Sequence, residues 1–238
     1  MTTTPEISTN PSAVELDDDD PRQLFGRGLA VGTTTIAAAQ ADQMGLPTPC
    51  GELDVRALLG HLVGVVRRAA AIGRGEDAMS VPGTVTSADD AWMMAWADAV
   101  AAVDDAWCDD AVLDRIVVLP WATLPAGAAL LGYLNEIVVH TWDLARATAQ
   151  QPTWDDQVVG AAYDAISHTL PAEGRAEMFR EVMERVDTDN LSAGFRGPPF
   201  AEAVAVDAAA PPIDRLVAYN GRSPAEAGLY RARSGDTG

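Results

Sequence analysis

The sequence contains no lysine, and all 16 of its basic residues are arginines. This absence excludes catalysis through a lysine Schiff base, because a guanidinium group does not form the imine. It also excludes a Walker-type phosphate loop, whose lysine contacts the terminal phosphates of a nucleotide. The chain likewise has no GxSxG, GxGxxG or CxxC pattern, so the common signatures of serine hydrolases, dinucleotide-binding folds and dithiol chemistry are missing.

Positive charge is scarce relative to negative charge. The 16 arginines stand against 35 acidic residues, which gives a net charge of −19. A chain this acidic, without a basic stripe, is not expected to bind nucleic acid or an anionic membrane surface. No apolar run reaches the roughly 18–20 residues of a membrane span, and residues 1–20 lack the apolar core of a signal peptide. With only Cys50 and Cys108 as thiols, we expect a cytoplasmic protein from a reducing compartment.

Apolar residues recur at helical spacing through most of the chain. Asp20 and Asp54 are suited to cap helices, and Pro21 fits a first helical turn. A short apolar run at residues 114–119 predicts a strand or an extended crossover. Helices are predicted at residues 21–44, 55–72, 88–107, 126–148, 155–169, 172–186 and 213–219.

This pattern predicts an all-α fold, namely a four-helix bundle with a short extended crossover and a helical C-terminal extension. Residues 1–19 are rich in Thr, Ser, Pro and Asp and are expected to form a disordered acidic tail. Residues 20–150 are expected to form the bundle. Residues 151–238 are expected to pack on it as the extension.

The candidate site rests on two of the three histidines. His61 and His140 lie within strongly apolar helices, and Glu136 precedes His140 by one helical turn. A carboxylate that faces a bundle interior is costly unless it is paired or bound to a metal. A histidine from a facing helix completes a His₂Glu set, which is the ligand set of an open, catalytic divalent-metal site.

Spacing alone leaves other interpretations of these histidines and of Glu136 open. A histidine within a helix is often hydrogen-bonded in a core, and a glutamate four residues before a histidine is common by chance. Asp143 is placed either to orient His140 from behind or to pair with Arg146. Cys50, in the turn before the His61 helix, is either a reactive thiol near the site or a half-buried turn residue, and we favour the turn residue. His168 is expected to cap a helix end.

Three stretches together resemble one family. They are TPCGELDVRALLGHLVG at residues 48–64, NEIVVHTWDLARAT at residues 135–148, and the closing DRL and GRSP at residues 214–216 and 221–224. The sequence resembles the actinobacterial metal-binding branch of the DinB-like proteins, which is related to mycothiol-dependent maleylpyruvate isomerase. The likeness extends over about residues 22–224.

The resemblance implies a DinB-like four-helix bundle with a metal triad. Residue by residue, that triad maps onto His61, Glu136 and His140. In the isomerase the metal is zinc and the thiol cofactor is mycothiol. The resemblance therefore implies a divalent metal, with zinc first among the candidates, and mycothiol as a cosubstrate. It identifies no catalytic or cofactor-binding residue in this chain.

The leading hypothesis is a metal-dependent and mycothiol-dependent transferase or isomerase that acts on a small electrophilic metabolite. Asp143 would support the metal ligands, and Arg222 is a candidate for anchoring a substrate carboxylate. One alternative is a metal-dependent hydrolase that uses metal-bound water. Another is a protein that binds a metal or a small molecule without turnover. The expected partner is a small-molecule substrate, with a monomer or a homodimer as the assembly.

Overall fold

The structure, a computed structural model, describes residues 18–51, 53–185 and 200–225. The predicted acidic tail lies outside these residues except for its last two positions, and residues 186–199 and 226–238 of the predicted extension also lie outside them. The elements are α1 (Pro21–Ala38), α2 (Val55–Arg74), α3 (Trp92–Ala106), β1 (Ile116–Leu119), β2 (Ala122–Pro125), α4 (Ala126–Ala147), α5 (Asp156–Thr169), α6 (Arg175–Arg185) and α7 (Pro212–Tyr219).

Helices α1 to α4 form a four-helix bundle. Helix α4 packs against α1 and α2, and α3 packs against the same two helices. The enclosed core is aliphatic, and Leu62, Leu134 and Ile137 in it are completely buried. Trp92 and Trp96, which are one turn apart on α3, are also buried. The predicted all-α bundle is therefore confirmed.

Both predicted aspartate caps are present. Oδ1 of Asp20 accepts a hydrogen bond of 2.8 Å from the backbone N–H of Arg22, at the start of α1. Oδ1 of Asp54 accepts one of 2.8 Å from the N–H of Ala57, in the first turn of α2. These bonds satisfy amides that have no partner inside the helix. The cap at Asp54 fixes where α2 begins, and with it the position of His61.

The predicted end of α1 at about residue 44 is wrong. The helix ends at Ala38, Ala39 is extended, and a separate 3₁₀ turn follows at Ala41–Gln43. The side chain of Gln150 donates a hydrogen bond of 3.0 Å to the carbonyl of Thr35. A residue from beyond α4 thus satisfies a carbonyl at the end of α1, which no local pattern reveals.

The expected crossover between α3 and α4 is an antiparallel hairpin. Ile116 pairs with Pro125 at one end, and Leu119 pairs with Ala122 at the other. The first strand agrees with the sequence prediction, whereas the second was not predicted because residues 122–125 carry little β propensity. Helix α4 begins directly after Pro125, as expected.

Two of the helices after residue 150, α5 and α7, pack on the bundle. Helix α5 packs on α4, and α7 packs on both α5 and α4. The division into residues 20–150 and 151–238 stays a prediction. Within the part of the chain that the structure describes, no helix has the length and hydropathy needed to cross a bilayer.

Candidate metal centre

Two helices of the bundle carry the predicted ligand residues. His61 lies in the second turn of α2, and Glu136 and His140 lie one turn apart on α4. Because α2 packs directly on α4, the three side chains meet. The ring centroids of His61 and His140 are 4.5 Å apart, and the two rings are nearly perpendicular.

One oxygen of Glu136 lies close to both histidines. Its Oε2 lies 3.2 Å from Nε2 of His140 and 3.6 Å from Nε2 of His61. One ligand atom from each residue lies within 4.8 Å of the others. The structure thus brings together all three residues that the sequence singled out, at a separation that a single cation can bridge.

The second nitrogen of each ring has its own partner. Nδ1 of His61 lies 2.8 Å from the carbonyl oxygen of Gly83, so this nitrogen is the protonated donor. Nδ1 of His140 lies 3.0 Å from Oδ2 of Asp143 and donates to that carboxylate. In the neutral form of each ring, Nε2 therefore carries the lone pair, and both Nε2 atoms face Glu136. Such support by a carbonyl or a carboxylate is usual for histidines that bind metals.

This arrangement fits a cation. When both rings are neutral, three acceptor atoms converge, namely Nε2 of His61, Nε2 of His140 and Oε2 of Glu136, and this convergence is unfavourable unless positive charge sits between them. Either an additional proton on a ring or a divalent metal ion supplies that charge. A His₂Glu set with one open coordination position is typical of catalytic zinc sites.

The electrostatics of the cluster favour charged groups. Burial opposes ionisation of Glu136, but hydrogen bonds and positive charge from His140 and His61 outweigh it, so the pKa of Glu136 lies well below its usual range. Burial also disfavours a charged His140. The acidic groups of Cys50, Asp143 and Glu136 outweigh this effect and hold the pKa of His140 well above its usual range.

Asp143 has the first of the two roles that the sequence left open. It is completely buried, it accepts the hydrogen bond from His140, and it receives two more from Arg222. Burial raises the pKa of Asp143, but the charge of Arg222 and the bond from His140 outweigh this effect and lower it. Arg146, the alternative partner, instead lies over the ring of Trp142.

Arg222 does not occupy the place expected for a substrate anchor. Its Nε and Nη2 bind Asp143, its Nη1 donates to the carbonyl of Asn220 at 2.8 Å, and the residue is 7% exposed. The side chains of His61 and Glu136 are 22% and 24% exposed, so solvent reaches the cluster from their side. The structure corrects our expectation, because Arg222 stands behind His140 as the partner of Asp143.

Two residues at the cluster were not among the predicted site residues. Phe200 stacks on His140 with ring centroids 6.0 Å apart, and the guanidinium of Arg222 lies 5.2 Å from the centre of the Phe200 ring. Cys50, expected to have no role, lies beside His140 and Asp143 with ligand atoms within 4.8 Å of one another. The position of Cys50 shortly before the His61 helix was an available signal, whereas Phe200 lies in no periodic pattern.

The remaining histidine is not part of the cluster. His168 is exposed near the end of α5, and its Nδ1 lies 2.6 Å from the carbonyl of Asp164 in the preceding turn. This contact agrees with the predicted role as a helix cap. His168 therefore provides a control for experiments on His61 and His140.

Comparison with known proteins shows the family. Residues 25–145, just over half of the chain, match the model of the mycothiol maleylpyruvate isomerase N-terminal domain. The chain belongs to this family. The resemblance that the three sequence motifs suggested is thereby confirmed. The matched residues of the isomerase-family domain include His61, Glu136, His140 and Asp143, whereas Phe200 and Arg222 lie beyond them.

Two sequence relatives and two solved structures are similar to this chain over most of its length. Two proteins from strains of Mycobacterium tuberculosis, both described as uncharacterized, are 26% identical over 209 residues, which covers 86% of this chain and 98% of each relative. The crystal structure of the mycothiol-dependent maleylpyruvate isomerase has a TM-score of 0.49 and 17% identity, over 70% of this chain and 73% of that chain. A histidine-to-alanine mutant of that isomerase has a TM-score of 0.47.

Proposed function

We propose that this chain is a metal-dependent transferase or isomerase that uses mycothiol as its thiol cosubstrate and acts on a small electrophilic metabolite. Two observations support the proposal. The chain belongs to the family named after the mycothiol maleylpyruvate isomerase. The second observation carries the proposal: one acceptor atom each from His61, Glu136 and His140 converges on the same place. The carbonyl of Gly83 and the carboxylate of Asp143 hold the two histidine rings in position.

The ligand set proposed for the metal is His61, Glu136 and His140, with zinc as the first candidate. When bound, the ion supplies a Lewis acid that favours the deprotonated form of a thiol. Asp143 holds the ring of His140 in the tautomer that presents Nε2, and Arg222 holds Asp143. The carbonyl of Gly83 does the same for His61.

The charges of the surrounding residues favour an anionic partner. Arg222 neutralises Asp143 in a close ion pair, which leaves Glu136 as the uncompensated carboxylate among the proposed ligands and their direct partners. One carboxylate offsets only one of the two positive charges of a divalent ion. An anionic thiolate therefore suits this environment better than a neutral ligand.

The test is an assay that separates the thiol from the metal. The purified protein is incubated with maleylpyruvate, or with a panel of small electrophiles, in the presence and absence of mycothiol. We expect turnover or thiol consumption only with mycothiol, its loss on treatment with a chelator, and its loss in His140→Ala. The matched control His168→Ala should retain full activity, because that residue lies outside the cluster.

Other outcomes of the same assay would overturn the proposal. Full turnover of an ester or amide without any thiol would identify a metal-dependent hydrolase instead. Stoichiometric metal binding without turnover of any electrophile would identify a binding protein. In the first case the activities of the mutant and the control, and in the second their metal contents, still report whether His140 belongs to the site.

A further inference from the structure

Residues 81–85 run along α2 as an irregular segment with bends at residues 81, 83 and 84. Their burial alternates, with residues 81, 83 and 85 half-buried and residues 82 and 84 exposed. Backbone atoms of Gly83 and Val85 and the side chain of Thr84 come close to Gly60 and Gly64 of α2.

Three backbone groups of this segment form hydrogen bonds with α2. The carbonyl of Val81 accepts a hydrogen bond of 3.0 Å from Nε of Arg68. The carbonyl of Gly83 lies 2.8 Å from Nδ1 of His61. The N–H of Val85 donates a bond of 3.0 Å to the carbonyl of Gly60. The metal ligand His61 thus binds the middle of a segment that is also held on both sides.

Two glycines of α2 make this close approach possible. A Cβ added to Gly60 would lie 2.1 Å from the carbonyl oxygen of Val85, and one added to Gly64 would lie 2.7 Å from the carbonyl oxygen of Gly83. Both obstacles are backbone atoms, so a side chain cannot simply rotate away. Gly60 and Gly64 are one turn apart and flank His61 on the same face of the helix.

We propose that residues 81–85 are a positioning segment for His61, and that Gly60 and Gly64 are the positioning residues that let its backbone reach that ring. The segment selects the tautomer in which Nδ1 is protonated and Nε2 faces Glu136. The inference rests on the proposed function, because the ring is positioned for the metal assigned to it. Partners of this kind typically change metal affinity by about 10–100-fold when they are lost.

The experiment adds the same methyl group at three places on α2. Gly60→Ala and Gly64→Ala push the segment away from His61. Gly73→Ala is the matched control, because its Cβ would meet Nε1 of Trp107 at 2.6 Å at the other end of the helix. That end is about 18 Å from His61 at 1.5 Å per residue. All three variants are overpacked, so all three are expected to have a lower melting temperature.

The first readout is the Kd for Zn²⁺, measured by competition with a chelator. We expect a rise of about tenfold or more in Gly60→Ala and Gly64→Ala, and no change in Gly73→Ala. Circular dichroism verifies that each variant is folded. Wild-type affinity in the first two variants, or an equal loss in Gly73→Ala, would overturn the inference, since general destabilisation would then explain the result.

The second readout needs no metal. Nitrogen-15 NMR of the imidazole rings in the metal-free protein is expected to show His61 protonated at Nδ1 in the wild type and in Gly73→Ala. The same signal should be lost or mixed in Gly60→Ala and Gly64→Ala. An unchanged tautomer in all variants would contradict the positioning role. If the wild type binds no Zn²⁺, the proposed function fails, and the NMR result still decides the inference.

Discussion

Arg222 and Asp143, which are 79 residues apart in the chain, form a buried two-point ion pair. The carboxylate also accepts the hydrogen bond from His140. The segment after α7 is therefore linked, through Asp143, to a proposed metal ligand on α4. A residue near the C-terminus thus contributes to the site, although the family match ends at residue 145.

Replacement of Arg222 by methionine should destabilise the protein strongly. Arg222→Met keeps most of the side-chain volume but leaves the buried carboxylate of Asp143 without its guanidinium partner. Loss of one partner of a buried pair typically costs about 3–5 kcal/mol. Urea unfolding followed by circular dichroism measures the change in the free energy of unfolding.

An exposed ion pair provides the control for Arg222. Arg56 and Asp89 form an equally short pair at 2.7 Å on the surface, where water screens the charges and the pair contributes little. Arg56→Met should therefore leave the unfolding curve almost unchanged. An equal loss of unfolding free energy in the two variants would show that the buried Arg222–Asp143 pair contributes no more than the exposed pair.

Alkylation of Cys50 should weaken metal binding. Its thiol lies beside His140 and Asp143, so a carbamidomethyl group there would displace one of these side chains from its position. The Cys108→Ser variant, in which Cys50 is the only thiol, is labelled with iodoacetamide and then titrated with Zn²⁺. We expect a higher Kd for Zn²⁺ than in the unlabelled variant.

The reciprocal variant controls for the label itself. Cys50→Ser leaves Cys108, which is exposed and whose Sγ lies 3.2 Å from the carbonyl of Asp105. Labelling of Cys108 should not affect the Kd for Zn²⁺. Unaltered binding after complete labelling of Cys50, verified by peptide mass spectrometry, would remove Cys50 from the neighbourhood of the site.

Metal affinity should fall as the pH is lowered. The acidic groups around His140 hold its pKa above the usual range, so a proton competes with a metal ion for the ring. Below that raised pKa, each displaced proton lowers the affinity by about tenfold per pH unit. Chelator competition at a series of pH values measures the slope. A Kd for Zn²⁺ that is constant from about pH 8 to about pH 6 would contradict the assignment of His140 as a ligand.

Local patterns were sufficient for much of the fold. The caps at Asp20 and Asp54 act through neighbouring amides, so their sequence signals identified the helix starts correctly. The end of α1 was misplaced because its cause is not local. Residues 39–44 have no strong helix breaker, and the carbonyl of Thr35 is satisfied by Gln150 from a distant part of the chain.

The ligand residues of the candidate site were predictable from the sequence, whereas several of their partners were not. His61, Glu136 and His140 follow from helical spacing together with the resemblance, since side chains on facing helices meet when the helices pack. Phe200 and the carbonyl of Gly83 were not predictable. Contacts with a backbone carbonyl or with an irregular segment leave no period in the sequence, and Arg222 was misassigned because its partner Asp143 is 79 residues away.

The metal content of the purified protein tests the central claim most directly. Untagged wild-type protein is analysed by inductively coupled plasma mass spectrometry beside Glu136→Gln, which replaces a carboxylate without a change of shape, and His168→Ala as the control. The account predicts about one divalent ion per chain in the wild type and the control, and its loss in Glu136→Gln. Substoichiometric metal that is the same in all three proteins, and that added zinc does not restore, would contradict the account.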